Sequence, residues 1–326
     1  MRAAVLGAGG TLTWAEVPEP EPGEGEVRLR VAACGVCGSD LHLRTMGFLP
    51  PGYVMGHEFA GVVDAVGPGV RGWAEGDRAC VYPFVPGPVH DMTASVTGIG
   101  CGGPYGGLAE ACVAGADRLW RLPDALPLEH GALVEPLAVA LHALDVAEVR
   151  PDQGCAVIGA GPVGVLVALA LKARGVDRVA VVERDEPRRA RAAALGVPAV
   201  GLDGVHDAVI EAVEGLPEVV FECAGHPSAT PLAIELVAPS GIVALLGVLS
   251  EPVAVSQLLL MAKEAQLRAS FCYRPASFDE AVGLLADGRV PAERLVTARR
   301  PMAEAGAVMD ALATPGTTDL KVLLVP

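Results

Sequence analysis

The residues of this chain best suited to chemistry are Cys37, His57, Glu58 and Glu135. Cys37 stands twenty residues before His57 in the run Gly56-His57-Glu58, and Glu135-Pro136-Leu137 follows far downstream. A thiolate, an imidazole and carboxylates, offered without a closed cysteine cluster, suit a zinc ion that keeps one coordination position open for a substrate oxygen. A second set is Gly159-Ala160-Gly161-Pro162-Val163-Gly164, placed between a strand-like and a helix-like apolar run, with Glu183 nineteen residues beyond the last glycine. In that context a G-x-G-x-x-G run is a dinucleotide fingerprint. Gly159 permits the tight turn, Gly161 lets the backbone approach a pyrophosphate, and Gly164 lets the helix pack closely on its strand. The helix that opens at Pro162 and Val163 then presents free N–H groups to phosphate oxygens. Zinc together with a dinucleotide indicates hydride transfer to or from an alcohol.

Glu183 is expected to accept both hydroxyls of the adenosine ribose and to repel a 2′-phosphate, which favours NAD over NADP. Arg184 and Arg188 stand close enough in sequence to pair with a 2′-phosphate, so NADP stays open.

These residues need two kinds of scaffold. To about Leu144 the chain is dense in Gly and Pro, with short β-rich runs such as Val27–Val31 and Phe59–Val63, which read as an irregular β-rich domain. From Pro151 apolar runs alternate with helical segments: Cys155–Gly159, Val179–Val182, Val219–Phe221, Ile242–Gly247 and Leu267–Tyr273. Such alternation implies parallel strands with crossover helices. Helices are expected over Val163–Leu171, with a stop at Arg174-Gly175, over Pro187–Leu195 and over Phe278–Leu285; the apolar tail Lys321–Val325 is expected to return to the first domain as a strand.

With 326 residues and 52% hydrophobic content there is ample material for buried cores. A net charge of −15, with only three lysines, argues against a nucleic-acid partner. Residues 154–171 form eighteen positions without a charge, but internal glycines and Pro162 make them strand, turn and buried helix rather than a membrane span. The start of the chain does not read as a signal peptide, so a cytoplasmic protein is expected, with its eight cysteines as reduced thiols and metal ligands.

The run Cys34-Gly35-Val36-Cys37-Gly38-Ser39-Asp40-Leu41-His42, then Gly56-His57-Glu58, Glu135-Pro136-Leu137-Ala138 and the glycine fingerprint, resembles the zinc-dependent medium-chain dehydrogenase/reductase family over nearly the whole chain. Within it the chain looks like the polyol (sorbitol), butanediol and threonine dehydrogenases. The resemblance implies an α/β fold with a GroES-like β-rich catalytic domain at 1–144 and 274–326 and a doubly wound Rossmann domain at 145–273. It implies one catalytic zinc on Cys37 and His57, with Glu58 and Glu135 competing for the remaining position or holding it through water. Asp40 would orient His57. Ser39 and His42 would relay the alcohol proton to water through the nicotinamide ribose, and Lys321 would reach the cofactor pyrophosphate. Tyr273 and Arg274, in Phe271-Cys272-Tyr273-Arg274, would contact a hydroxylated or anionic substrate, with Phe48, Phe59 and Tyr105 as further candidates to line its pocket. The loop at 83–105 retains only Cys101 where many relatives carry four cysteines for a structural zinc.

The expected activity is hydride exchange between NAD and a secondary alcohol, whether polyol, diol, amino alcohol or cyclitol. The competing readings are a zinc-independent NADPH quinone or enone reductase of the same fold and an inactive nucleotide-binding protein. Family likeness also implies a homodimer or homotetramer, formed by extending the sheet near Ile242–Gly247. His90, His130, His142, His206 and His226 carry no assigned role.

Overall fold

The computed structural model describes residues 1–47, 49–84, 98–249, 251–314 and 316–326. Phe48 and His90 lie outside the described residues, as does most of the 83–105 loop. The chain forms two compact units: Met1–Glu135 with Arg274–Pro326, and Pro136–Tyr273.

The first unit opens with β1 (Arg2–Leu6) and β2 (Leu12–Glu16), an antiparallel pair. Then come β3 (Glu26–Gly35), α1 (Gly38–Met46), β4 (Glu58–Val66), β5 (Arg78–Val81), β6 (Ala111–Gly115) and β7 (Leu119–Arg121). β3 shows why these residues make a strand. Val27, Leu29 and Val31 enter the core, while Arg28 and Arg30 on the other face pair with Asp64 and Glu19. Helix α2 (Val134–Val146) begins on the last two residues of this unit and continues into the second, so the division falls at Glu135 and not at the expected 144.

The second unit holds β8 (Cys155–Ile158), β9 (Val179–Val182), β10 (Ala199–Val200), β11 (Val219–Glu222), β12 (Ile242–Leu245) and β13 (Gln266–Ala269). All pairings are parallel, in the order β10-β9-β8-β11-β12-β13. β8, β9 and β11 are buried along their whole length, as strands covered on both faces must be. After β8 comes α3 (Pro162–Ala173), buried from Gly164 to Leu171 and stopped at Arg174 and a left-handed Gly175. After β9 comes α4 (Glu186–Ala194), where the Asp185 carboxylate accepts the Arg188 N–H at 3.2 Å as an N-cap. Residues 154–171 are therefore strand, turn and buried helix, and no helix among the described residues is long and apolar enough to cross a membrane.

Two strands are shorter than the apolar runs suggested. β12 stops before Leu246-Gly247 and β13 stops at Ala269, after which Cys272 turns left-handed and Arg274 caps the helix Pro275–Ala286. The chain closes with β14 (Val296–Pro301) and β15 (Lys321–Val325). β15 lies parallel to β14 and antiparallel to β3, completing the sheet β14-β15-β3-β4-β5-β7, with β6 also on β3.

Candidate active site

Three adjacent strands, β15, β3 and β4, deliver the chemistry of the first unit. β3 ends at Gly35, and two residues later Cys37 caps α1, where the Asp40 carboxylate accepts the Cys37 N–H at 3.0 Å. β4 begins at Glu58, directly opposite Gly35, after a turn in which Gly56 has a φ of 93°. A side chain at Gly56 would put its Cβ 2.7 Å from Cys34 Sγ, so glycine is required there by both conformation and space. These turns bring one donor atom each from Cys37, His57 and Glu58 within 4.8 Å of one another. Donors at about 2.0–2.3 Å from one zinc stand no more than about 4.6 Å apart, so the triad fits a single ion after small adjustments. The donor set is also chemically apt, joining a thiolate, an imidazole and a carboxylate.

Asp40 is fully buried, and its Oδ1 stands 3.2 Å from His57 Nδ1. With a metal on Nε2, that proximity would favour the proton on Nδ1. Burial alone would pull the His57 pKa down, but Asp40 and Cys37 outweigh it and hold the imidazole well above its ordinary value. Ser39 Oγ donates to Cys37 Sγ at 3.1 Å and lies 3.4 Å from His57 Nε2. His42 follows one turn later on α1 and is exposed, so both members of the expected proton path share one helix, three residues apart. Glu135, in the first turn of α2, is buried but stands outside the triad.

Lys321, the expected pyrophosphate contact, has partners the sequence did not suggest: its Nζ donates to both Glu58 oxygens, at 2.8 and 2.6 Å, and to the Val36 carbonyl at 3.1 Å. Lys321 is 2% exposed and Glu58 1%, so this is a buried ion pair inside the candidate metal site. Burial would lower the lysine pKa, yet the neighbouring Glu58 keeps it above its usual value. The room for the pair comes from Gly35, whose Cβ would lie 2.2 Å from Glu58 Oε2. The one available signal in the sequence was a lone lysine heading the apolar strand Lys321–Val325.

The second unit builds the nucleotide site. Gly159 turns with a φ of 102°, and Gly161 is the N-cap of α3 with Pro162 and Val163 in its first turn. A Cβ on Gly164 would fall 1.9 Å from the Gly159 carbonyl oxygen, whereas one on Gly161 would meet nothing within 4 Å. Space is therefore reserved over Gly161 and absent at Gly164, which is the division of labour a phosphate-binding turn needs. Glu183, buried at the end of β9, accepts the Ala160 N–H at 2.8 Å and the Asp185 N–H at 2.9 Å. Arg184 is exposed and Arg188 half-buried in the first turn of α4. Arg189, which the sequence reading passed over, donates to the Glu183 and Arg184 carbonyls and pairs with Glu186.

Of the expected substrate contacts, Tyr273 is fully buried. Arg274 is exposed, and Tyr105 half-exposed. Phe59 belongs to the core of the first unit. His130 has company that the sequence did not suggest, lying 3.1 Å from Glu293, beside Glu129 and Arg299. None of the eight cysteines forms a disulfide.

Two family models match the chain, the alcohol dehydrogenase GroES-like domain over residues 23–124 and the zinc-binding dehydrogenase over residues 162–287. A Rhizobium meliloti (strain 1021) protein provisionally named D-xylulose reductase is 33% identical, covering 98% of this chain and 98% of its own. The chain belongs to the zinc-dependent medium-chain dehydrogenase/reductase family. This dehydrogenase is also 33% identical to (R,R)-butanediol dehydrogenase of Bacillus subtilis (strain 168), over 86% of this chain and 87% of the relative. Among solved structures it matches 2R,3R-butanediol dehydrogenase from Bacillus subtilis with a TM-score of 0.91 and 31% identity, covering 100% of this chain and 99% of that one. A provisionally named zinc-binding dehydrogenase from Sinorhizobium meliloti 1021 bound to NADP matches with a TM-score of 0.88 and 30% identity, again over 100% and 99%. The chain is thus an oxidoreductase of the alcohol and polyol dehydrogenase class, a group that uses zinc and a nicotinamide cofactor.

Proposed function

We propose that this dehydrogenase interconverts a secondary alcohol and its ketone with NAD as hydride carrier, on one zinc held by Cys37, His57 and Glu58. The observation that carries the reading is the convergence of those three donors within 4.8 Å beside the buried Lys321 ammonium. When bound, zinc supplies Lewis acidity toward an alcohol or carbonyl oxygen, and the nicotinamide accepts or gives hydride. The chain's own residues do the rest. Asp40 fixes the His57 tautomer, and Lys321 offsets one of the negative charges gathered around the donors. Ser39, at the donor cluster, and exposed His42 on the same helix provide a route by which a proton leaves for water. Glu135 serves as a nearby buried charge outside the ligand triad.

NAD is preferred because Glu183 is already anchored as a carboxylate acceptor at the end of β9, where a 2′-phosphate would add negative charge. Arg184 and Arg188, the cations that follow Glu183, are the candidates to answer such a phosphate, and one structural neighbour is bound to NADP. The named relatives act on a keto-sugar and a diol, which favours a vicinal polyol or diol here, with exposed Arg274 as the substrate-contact candidate.

For self-association we place the seam on β13. In the expected stretch near 242–247, β12 is already paired on both sides, so the sheet there extends through its neighbour β13. β13 is one of the two edge strands of its sheet among the described residues and carries exposed Leu267, with exposed Leu258 and Met261 on the preceding helix.

The test is a panel of sugar alcohols, diols, amino alcohols and cyclitols followed by NADH absorbance, alongside zinc analysis of the same preparation. Turnover of one class with stoichiometric zinc supports the reading. Turnover that survives complete zinc removal would overturn it in favour of the zinc-independent reductase.

A further inference from the structure

The C-terminal ends of β8, β11 and β12 meet around one buried acid, Glu222, the last residue of β11. Its Oε1 accepts the N–H groups of Ala224 and Gly225, each at 2.8 Å, which folds the segment 223–225 into a tight turn. Its main-chain carbonyl accepts the N–H groups of Leu246 and Gly247, each at 2.9 Å, which holds the end of β12 alongside. The fit is close from every side. A Cβ on Gly247 would stand 2.5 Å from Glu222 Oε2 and 2.3 Å from the Gly225 nitrogen, and a Cβ on Gly225 would stand 2.7 Å from the Val248 carbonyl oxygen. On the opposite flank the Cys223 N–H donates to the Ile158 carbonyl at 2.9 Å, and a Cβ on Gly159 would lie 3.1 Å from Ala224.

Burial pushes the Glu222 carboxyl above its ordinary value, against the N–H groups of Gly225, Ala224 and Gly247 that favour the ionised form. A desolvated carboxylate aimed at the backbone of two turns needs a reason, because an apolar residue would avoid the desolvation. The sheet order supplies one. In a doubly wound sheet the dinucleotide lies across the strand ends where the order reverses, with one mononucleotide half on each side. Here that reversal falls between β8 and β11. Glu183 and the glycine turn serve the adenosine half on the β8–β9 side. The other half therefore rests over the ends of β11 and β12, on the surface that Glu222 assembles.

We propose that Glu222 is a positioning residue for the nicotinamide half of the cofactor, holding the 223–225 turn and Gly247 in one fixed arrangement. This rests on the reading of the second unit as a nicotinamide-dinucleotide site. The carboxylate matters because it only accepts: its Oε1 takes the Ala224 and Gly225 N–H groups together and the Gly247 N–H also favours the ionised form, whereas an amide keeps a single accepting oxygen and brings an NH2 into the same buried junction.

The experiment compares NADH with ADP-ribose, which lacks the nicotinamide, by calorimetric titration of the zinc-loaded parent and of Glu222→Gln. Expected is a rise of about tenfold in the Kd for NADH with ADP-ribose within about twofold of the parent. Equal losses for both ligands, or no loss for either, would overturn the proposal. A parent that binds neither ligand would instead overturn the dinucleotide reading beneath it. Should Glu222→Gln not fold, Gly247→Ala presses on the same junction from the β12 side and is expected to give the same split, with an unsplit result counting against the proposal.

Discussion

Removing the Lys321 ammonium is the most revealing perturbation of the metal site. Lys321→Met keeps the length of the side chain but strips the charge from a carboxylate that is 1% exposed and has both oxygens within 2.8 Å of Nζ. At 2.6 Å the attraction is about 6 kcal/mol with an effective dielectric of about 20, and breaking one side of a buried pair costs about 3–5 kcal/mol in net stability. We expect the metal-free variant to lose stability in that range. All three tryptophans, Trp14, Trp73 and Trp120, lie in the first unit with the pair, so their fluorescence during urea unfolding reports the unit at issue. Adding Glu58→Gln to Lys321→Met should restore much of the loss, since the stranded charge is gone. Zinc should shrink the penalty, because a cation then stands beside Glu58. A loss below about 1 kcal/mol without metal, or strictly additive losses in the double variant, would refute the reasoning.

Two glycines of the nucleotide turn should fail differently. Gly164→Ala, with its Cβ 1.9 Å from the Gly159 carbonyl oxygen, is expected to destabilise the second unit by about 1–3 kcal/mol and to weaken NADH binding. Gly161→Ala meets no neighbour within 4 Å, so it should unfold at the parent temperature yet still bind NADH more weakly, as its methyl enters the space kept for pyrophosphate. Parent-like NADH affinity in Gly161→Ala would contradict that assignment. At the surface, Arg299 holds the Glu129 carboxyl below its ordinary value of 4.5. A depressed folded value stabilises the protein above pH 4.5 and loses its effect as pH falls through the lowered value. Arg299→Ala should therefore cost no more than about 1 kcal/mol near neutrality, and the gap should close in acid. A gap independent of pH would count against it.

Much of this was legible in the chain. The Rossmann strands were readable because parallel strands buried on both faces leave uninterrupted apolar runs, as in Val179–Val182. The glycine fingerprint and the Cys37, His57 and Glu58 donors were readable because the chemistry restricts residue type and spacing. Ion-pair partners were not. Nothing local joins Lys321 to Glu58, which the β15–β3–β4 register alone brings together, so the pairing leaves no mark in the sequence. Glu222 was overlooked because its partners are backbone N–H groups, which leave no trace in residue type. The run Leu267–Tyr273 reads as a strand, whereas the chain leaves β13 after Ala269 and turns at Cys272, because a positive-φ turn at a non-glycine residue leaves no mark in an apolar run.

X-ray absorption at the zinc edge, on the purified enzyme and on Cys37→Ala, addresses the account most directly. The account predicts one zinc per chain with a single sulfur neighbour and nitrogen and oxygen donors, and loss of both sulfur and zinc in the variant. Zinc retained by Cys37→Ala with only nitrogen and oxygen neighbours, as the Glu129, His130 and Glu293 cluster would provide, would contradict it.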